Sequence, residues 1–275
     1  MTWVVAGRHL FCARCLADVQ VTLKAKNVDT VYIDAVQKVH KIGPDLVVAF
    51  ADSVRLGFYI IDKLKFDFYP KLNREFCVNS ELVLREIFKY LKDVVGEYEK
   101  LSAMKIPGYV PERVELMVLF QPILTADMFR LPPKEFPFAG VWKIEIPSFK
   151  VWEPAKSFQL LELGFGSQVD DYREIVERHE QGFYVVPGKK GELPSAIIPS
   201  GKVALELLFA EAKQYQNAGI SKAMHVALLS ADGVFTRGIS ESFDIPFPSV
   251  VDNWVDFKKL MKGLGIGLTD FTATA

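Results

Sequence analysis

The chain has 275 residues, half of them hydrophobic and 24% charged, with a net charge of −1 at pH 7, a composition typical of a globular protein with a substantial core. The absence of a basic run argues against nucleic acid as a partner, and the absence of an apolar stretch of roughly 20 residues argues against a membrane span. Because the N-terminus lacks a signal-peptide layout and three cysteines do not make a disulfide framework, we expect a cytoplasmic protein.

Strand-like runs come first along the chain, rich in Val, Ile, Leu and Phe and separated by short polar breaks. The run Leu10–Ala17 contains one charged residue, Arg14, which predicts a strand that is covered on both faces. We predict strands at Trp3–Ala6, Leu10–Asp18, Thr30–Ile42 and Leu46–Phe50. We predict that two helices follow, at Ser53–Lys65 and Ser80–Leu101, because apolar residues recur there at helical spacing.

The second half of the chain repeats this order of strands and then helices. We predict strands at Val114–Phe120, Gly140–Ile146 and Phe158–Gly164, then helices at Val169–Glu180 and Lys202–Gln216. Asp232-Gly233 is a strong hairpin signal, and it separates predicted strands at Ala223–Ser230 and Val234–Ile239. A short helix is expected near Asp252–Lys262.

This order suits an α+β fold in which two sheets pack together with helices outside. We expect residues 1–240 to form one domain with insertions and residues 241–275 to form a C-terminal extension.

Three polar residues near the N-terminus are candidate site residues only when they are considered together. Thr2 follows Met1, Asp18 ends an apolar run sixteen positions later, and Lys38 lies within a strand-like segment. Taken singly, each has an ordinary explanation: Met-Thr starts are common, aspartate often ends a strand, and a strand lysine is usually solvated.

Several stretches, in the same order, resemble the N-terminal-nucleophile hydrolases of proteasome β-subunit type, including the bacterial HslV peptidase. TWVVA resembles the family's opening strand, which begins with the nucleophilic threonine, LADVQVT resembles the end of its second strand, and AVQKVHKI resembles the strand whose lysine completes the site. PDLVVAFADSVRLGFYIIDKL resembles the next strand and first helix, and ALELLFAEAKQYQ followed by MHVALLSADGVF resembles the late helix and closing hairpin. The likeness is clearest in the first 65 residues. It implies a four-layer αββα sandwich.

The resemblance implies that Thr2, Asp18 and Lys38 are catalytic. A threonine hydroxyl needs a neighbouring base, and in this family the free α-amine of the same residue supplies it. That requires loss of Met1, and methionine aminopeptidases act when the next residue is small, as threonine is. The lysine favours the deprotonated hydroxyl, and because it is buried it needs the aspartate as its counter-charge.

The residues around this implied triad depart from the family pattern. The resemblance assigns the oxyanion role to the backbone N–H of Asp52, at a position where the family usually has glycine. The family's glycine-serine-glycine corresponds to Gly164-Phe165-Gly166, which leaves Ser167 as a substitute for the serine. The family's supporting aspartate falls on Asn217, with Ile220 or Ser221 in place of a second serine.

The resemblance also implies a pocket for the residue before the cleaved bond, lined by Val21, Thr22, Val36, Phe50 and Val54. Four of these side chains are hydrocarbon and Phe50 is large. We therefore expect a shallow apolar pocket that takes a peptide or protein substrate through a small or medium apolar side chain.

We expect a threonine peptidase that needs no cofactor. We expect no metal site either, because Cys12-Ala13-Arg14-Cys15 has no second cysteine pair for zinc. Two alternatives remain open: a catalytically inactive structural or binding subunit, and acyl transfer to an amine as in a peptide ligase. The family forms assemblies, which implies a homo-oligomer, either a ring or a dimer, and an ATP-dependent unfoldase as a partner.

Overall fold

The computed structural model describes residues 2–9, 12–25, 28–106, 108–124, 139–154, 159–180, 183–186, 196–199, 220–240, 242, 244–268 and 271–274. Helices and several antiparallel sheets both contribute, which places the fold in the α+β class expected from the sequence.

One five-stranded sheet, called here the first sheet, contains the N-terminal strand. Its members are β1 (Val4–His9), β2 (Cys12–Asp18), β10 (Leu160–Leu163), β13 (Met224–Ser230) and β14 (Gly233–Ile239). They are hydrogen-bonded in the order β10-β1-β2-β13-β14. All four pairings are antiparallel, and β13 and β14 form the hairpin that Asp232-Gly233 predicted.

The second sheet is an antiparallel meander of five strands in sequence order. It contains β5 (Val39–Lys41), β6 (Leu46–Asp52), β7 (Val114–Phe120), β8 (Gly140–Ile146) and β9 (Lys150–Trp152). A three-stranded sheet joins β3 (Gln20–Ala25), β4 (Val28–Asp34) and β15 (Phe271–Thr274), and β11 (Phe183–Val186) pairs with β12 (Ala196–Pro199).

Four α-helices lie within the described ranges: α1 (Val54–Asp62), α2 (Ser80–Lys105), α3 (Asp170–Glu180) and α4 (Trp254–Gly263). Side chains cap three of them, because Ser53, Asn79 and Asn253 accept hydrogen bonds from the first-turn N–H groups of α1, α2 and α4. α1 continues into π-helical and 3₁₀ turns that reach Val78. Within the described ranges, every helix is too short or too polar to cross a lipid bilayer.

Three buried clusters pack against the two large sheets, one of them between the sheets and the other two on their helix-facing sides. The inter-sheet cluster takes side chains from both sheets, among them Ala6 and Ala17 of the first and Ala49 and Met117 of the second. Because strand side chains alternate between faces, the other faces of the sheets are free to pack on helices. The helix-side cluster joins β6 to α1, α2 and α4, and the α3 cluster joins β1 and β2 to α3.

The prediction of a single strand over Thr30–Ile42 was wrong. The chain leaves the three-stranded sheet after Asp34 and enters the second sheet at Val39. Between them, the N–H groups of Ala35 and Val36 donate to the Val19 carbonyl, and Val36 pairs with Val251. These contacts with distant segments end the strand, although its side-chain pattern continues.

Other predictions needed extension. Five described strands were not predicted, at Gln20–Ala25, Lys150–Trp152, Phe183–Val186, Ala196–Pro199 and Phe271–Thr274. The second helix runs four residues further than predicted, to Lys105. The predicted helix at Lys202–Gln216 lies outside the described residues. The division at residue 240 stays a prediction, and Phe257 and Met261 of α4 are buried in the helix-side cluster.

Candidate active site

The pairing register of β1 and β2 brings Thr2 close to Asp18. Val4 lies opposite Ala17 in this antiparallel pair, so Trp3 and Asp18 face each other at the strand ends. The Asp18 N–H donates to the Trp3 carbonyl at 3.1 Å, and the Trp3 N–H donates to Asp18 Oδ1 at 2.9 Å. The aspartate that ends the apolar run is therefore fixed beside the N-terminal segment.

Lys38 reaches the same place from the segment between β4 and β5. Its Nζ donates to Thr2 Oγ1 at 3.1 Å and to Asp18 Oδ1 at 2.8 Å. The Lys38 carbonyl accepts the Phe50 N–H at 3.2 Å, which ties this segment to β6. Thr2 is 1% exposed, and Asp18 and Lys38 are 0% exposed. The structure thus brings together the three residues that the resemblance implies as catalytic.

The Lys38 ammonium is held in a low-dielectric site. Burial lowers its pKa from the ordinary value, whereas the negative charges of Asp18 and Asp34 oppose that shift. A lysine of lowered pKa beside a hydroxyl exchanges a proton more readily than a surface lysine does. While it is protonated, it stabilises negative charge on Thr2 Oγ1.

A second carboxylate, Asp34, lies behind this triad, and sequence reasoning missed it. Asp18 Oδ2 accepts the backbone N–H groups of Gln20 at 3.2 Å and Ser221 at 3.4 Å. Ser221 Oγ and Gln20 Nε2 donate in turn to Asp34, at 2.7 Å and 3.3 Å. Two residues therefore link the two carboxylates. The sequence carried no clear signal for Asp34, because the residue lay inside the strand predicted over Thr30–Ile42, whereas the structure ends β4 at Asp34.

The turn after β10 closes around the main chain of Thr2. The Gly166 N–H donates to the Thr2 carbonyl at 2.9 Å. Gly164 has φ of +75°, a conformation that favours glycine. A Cβ on Gly164 would lie 2.6 Å from the Thr2 carbonyl oxygen, so only glycine allows this approach.

The expected supporting groups are distributed differently from the family pattern. The Ser167 hydroxyl donates to the Gly164 carbonyl at 2.7 Å, within the turn. Ser221, one of the two serine alternatives, contacts Asp18 as described above, whereas Ile220 is buried in the α3 cluster. Asn217 lies outside the described residues.

Asp52, the expected oxyanion residue, ends β6 with φ of +75°. Its carboxylate lies 3.3 Å from Arg113 Nε. Burial, helped by the charge of Glu115, raises the pKa of the Asp52 carboxyl to about 6, although Arg113 opposes the shift. The left-handed backbone is one that glycine adopts without strain, whereas a residue with a Cβ, such as Asp52, adopts it at a cost.

Four of the five expected pocket residues lie in one cluster. Val21, Val36, Phe50 and Val54 all belong to the helix-side cluster and are 0% exposed. Thr22 is also buried, but it follows Val21 on the same strand, and adjacent strand side chains face opposite ways.

The Phe50 ring is enclosed rather than open to solvent. It stacks on His40 with 5.8 Å between ring centroids and meets Phe58 edge-on at 5.4 Å. A Cβ on Gly57 would come within 2.4 Å of it. The expected pocket is closed by side-chain packing in this structure, and its role in specificity stays a prediction.

No group of three or more His, Cys, Asp or Glu side chains that could hold a metal ion occurs in the described part of the chain. Cys12 and Cys15 are free thiols, and burial raises the pKa of the Cys15 thiol far above its ordinary value.

The chain matches no protein-family model and has no significant match among curated proteins.

Proposed function

We propose that this protein is a threonine-type peptidase or amidohydrolase of the N-terminal-nucleophile class, with Thr2 as the nucleophile once Met1 is removed. The observation that carries the proposal is the Lys38 ammonium, which donates both to Thr2 Oγ1 at 3.1 Å and to Asp18 at 2.8 Å. A buried lysine that contacts a threonine hydroxyl beside the chain start has a direct chemical use in this class.

In the proposed reaction, the neutral α-amine of Thr2 takes the proton from Oγ1 as Oγ1 attacks the substrate carbonyl carbon. The backbone N–H of Asp52 stabilises the oxyanion that forms. The amine passes the proton to the leaving nitrogen, the C–N bond breaks, and an acyl ester remains on Oγ1. A water molecule, deprotonated by the same amine, then hydrolyses the ester and restores the hydroxyl.

Lys38 has two roles in this scheme. Its positive charge favours the alkoxide at Oγ1, and it disfavours a second positive charge on the Thr2 amine. The free amine has an ordinary pKa of about 7.7–8.0, so a lower value keeps it neutral and basic near pH 7. Asp18 compensates the buried ammonium, and its remaining oxygen is satisfied by backbone N–H groups.

The packing of the clusters supports the four-layer αββα arrangement that the resemblance implies. The inter-sheet cluster takes residues from both five-stranded sheets. The helix-side cluster covers the second sheet with α1 and α2, and the α3 cluster covers the first sheet with α3. We propose this order of layers together with the class.

One rival function has a specific observation in its favour. Asp52 brings a carboxylate to the expected oxyanion position, where it would repel developing negative charge. This feature suits a catalytically inactive member that serves as a structural or binding subunit.

Turnover by matched Thr2 variants separates the two functions. Purified wild-type protein should have the mass of the chain without Met1 and should cleave members of a fluorogenic peptide panel. Thr2→Ala should abolish cleavage while leaving the protein folded, whereas Thr2→Ser keeps a hydroxyl and should retain part of the cleavage. Equal turnover by wild type and Thr2→Ala would exclude Thr2 as the nucleophile. A processed wild type that cleaves no peptide would favour the inactive subunit.

A further inference from the structure

Glu115 is a charged residue within an otherwise apolar buried strand. It belongs to β7, whose sequence is VELMVLF. Alternation places its side chain on the same face as Met117 and Leu119, which line the inter-sheet cluster. Its side chain is 6% exposed. A carboxylate at such a position is costly unless several donors compensate it.

Three donors converge on this carboxylate. Oε2 accepts the Gly164 N–H at 2.8 Å, and Oε1 accepts Arg113 Nη2 at 2.8 Å and Lys143 Nζ at 3.1 Å. Burial alone would raise the pKa of Glu115, but the Gly164 amide, Lys143 and Arg113 outweigh it, and the pKa is lowered. Glu115 is therefore an anion at neutral pH.

The Gly164 contact links the two large sheets at the candidate site. Glu115 belongs to the second sheet, whereas Gly164 follows β10 of the first sheet. Lys143 strengthens the link, because its Nζ also donates to the Glu162 carbonyl on β10 at 3.2 Å. The carboxylate thus holds the start of the turn that contacts Thr2.

That turn constrains Thr2 at two points, through the Gly166 N–H on its carbonyl and through the close approach of Gly164. The Thr2 main chain sets the directions of both its amine and its Cβ. A shift of the turn would therefore move the amine and Oγ1 relative to Lys38.

We propose that Glu115 is a positioning residue for the Thr2 nucleophile, acting through its hydrogen bond to Gly164 and the turn that clasps the Thr2 carbonyl. The inference rests on the proposed function in assigning Thr2 as nucleophile, whereas its structural step, from Glu115 to the turn, can be measured without any activity. Lys38, held by Asp18, contacts the side chain of Thr2, and Glu115 positions the turn that contacts its main chain.

The test compares Glu115→Gln with Glu145→Gln in otherwise wild-type protein. Glu145 is the matched control because it lies opposite Glu115 on β8 and approaches Arg113 at 3.9 Å, but it is not among the groups that hold Gly164. We expect Glu115→Gln to lower kcat by about 10- to 100-fold, because small misplacements of reacting groups have effects of that size. KM should change by less than about twofold, because the variant moves the reacting groups and leaves the substrate contacts in place. The acidic limb of the pH profile of kcat/KM should move to higher pH, because an amine further from Lys38 is more easily protonated.

A merely structural role would give a different result. It would lower the melting temperature of Glu115→Gln and leave the pH profile and kcat of the folded fraction as in wild type, which would overturn the inference. An equal loss of kcat in Glu145→Gln would overturn it too.

Hydrogen exchange provides the readout that does not need turnover. Glu115→Gln should increase amide exchange in the peptide covering 164–168, and Glu145→Gln should leave it unchanged. If wild type shows no activity, the proposed function fails, and exchange alone then decides whether Glu115 holds the turn. Unchanged exchange at this turn in Glu115→Gln would overturn the inference whatever the activity.

Discussion

The Lys38 ammonium and the Asp18 carboxylate lie 2.8 Å apart with neither side chain exposed to solvent. The partners are not equivalent. Asp18 also accepts backbone N–H groups from Trp3, Gln20 and Ser221, whereas the only other hydrogen bond described for Lys38 Nζ goes to the Thr2 hydroxyl. Removing the carboxylate therefore leaves a worse-compensated charge than removing the ammonium.

Asp18→Asn should destabilise the protein by about 3–5 kcal/mol at neutral pH, the range observed when one partner of a buried pair is removed. Lys38→Met should be less destabilising because three N–H groups still compensate Asp18. Both variants should lose activity. Chemical denaturation with a turnover assay measures both effects.

The double variant Asp18→Asn with Lys38→Met is the control for this pair. It removes both charges, so it should recover stability relative to Asp18→Asn while remaining inactive. Wild-type activity and melting temperature in both single variants would show that the two side chains do not share a site.

The stability of Asp18→Asn should rise with pH. Without its counter-charge, Lys38 has a folded-state pKa further below that of the unfolded chain, so the unfolded state binds more protons between those two values. Raising the pH through this window favours the folded state. We expect the difference in unfolding free energy from wild type to shrink between pH 6 and pH 10. A constant difference would show that Lys38 does not lose its proton within this range in the folded variant.

Asp52→Asn should stabilise the protein above about pH 6, where the Asp52 carboxyl is ionised. Because the folded pKa is raised, protonated Asp52 favours folding at low pH, and this contribution is lost as the pH rises through about 6. Melting temperatures of the two proteins should converge toward pH 4 and diverge toward pH 8.

Asp52→Ala is the control for backbone conformation at this position. Asparagine tolerates positive φ better than alanine, so Asp52→Ala should be less stable than Asp52→Asn at every pH, by about 1 kcal/mol. If Asp52→Asn and wild type show the same pH dependence of melting temperature, the Asp52 carboxyl does not titrate in this window.

Phe50→Ala tests the predicted pocket. Wild type should prefer small or medium apolar residues before the cleaved bond, and the variant should shift toward larger ones in a fluorogenic peptide library. The variant should also lose about 3–5 kcal/mol of stability because it leaves a cavity in the helix-side cluster.

Phe58→Ala gives a matched cavity beside Phe50, since the two rings are in contact, but Phe58 is outside the predicted lining. It should lose stability without the shift in preference. A strong wild-type preference for basic or acidic residues would show that the pocket assignment is wrong.

Thr2, Asp18 and Lys38 were assigned to one site by the resemblance, not by any local pattern. Thr2 and Asp18 stand at the ends of apolar runs, and a hairpin-like pairing of those runs is enough to bring them together. Lys38 was placed by the resemblance, even though its segment had been predicted as the middle of one long strand.

What the sequence did not predict depends on contacts between strands that are far apart in the chain. Asp34 and Ser221 meet across 187 positions, and nothing in the local pattern of either indicates the other. The Glu115–Gly164 contact crosses from one large sheet to the other, and its register follows from the packing of the sheets. Strand alternation predicts on which face Glu115 lies, not which amide it finds there.

Reaction with a peptide epoxyketone, followed by intact-mass measurement and peptide mapping, shows whether Thr2 is a processed N-terminal nucleophile. This electrophile couples to both the hydroxyl and the free α-amine of an N-terminal threonine, so one adduct reports processing, nucleophile and base together. We expect a single adduct on a Thr2 peptide that lacks Met1, present in wild type and absent from Thr2→Ala and Lys38→Met. A Thr2 that keeps Met1 and stays unmodified, or an equal adduct in Thr2→Ala, would show that Thr2 is not the nucleophile.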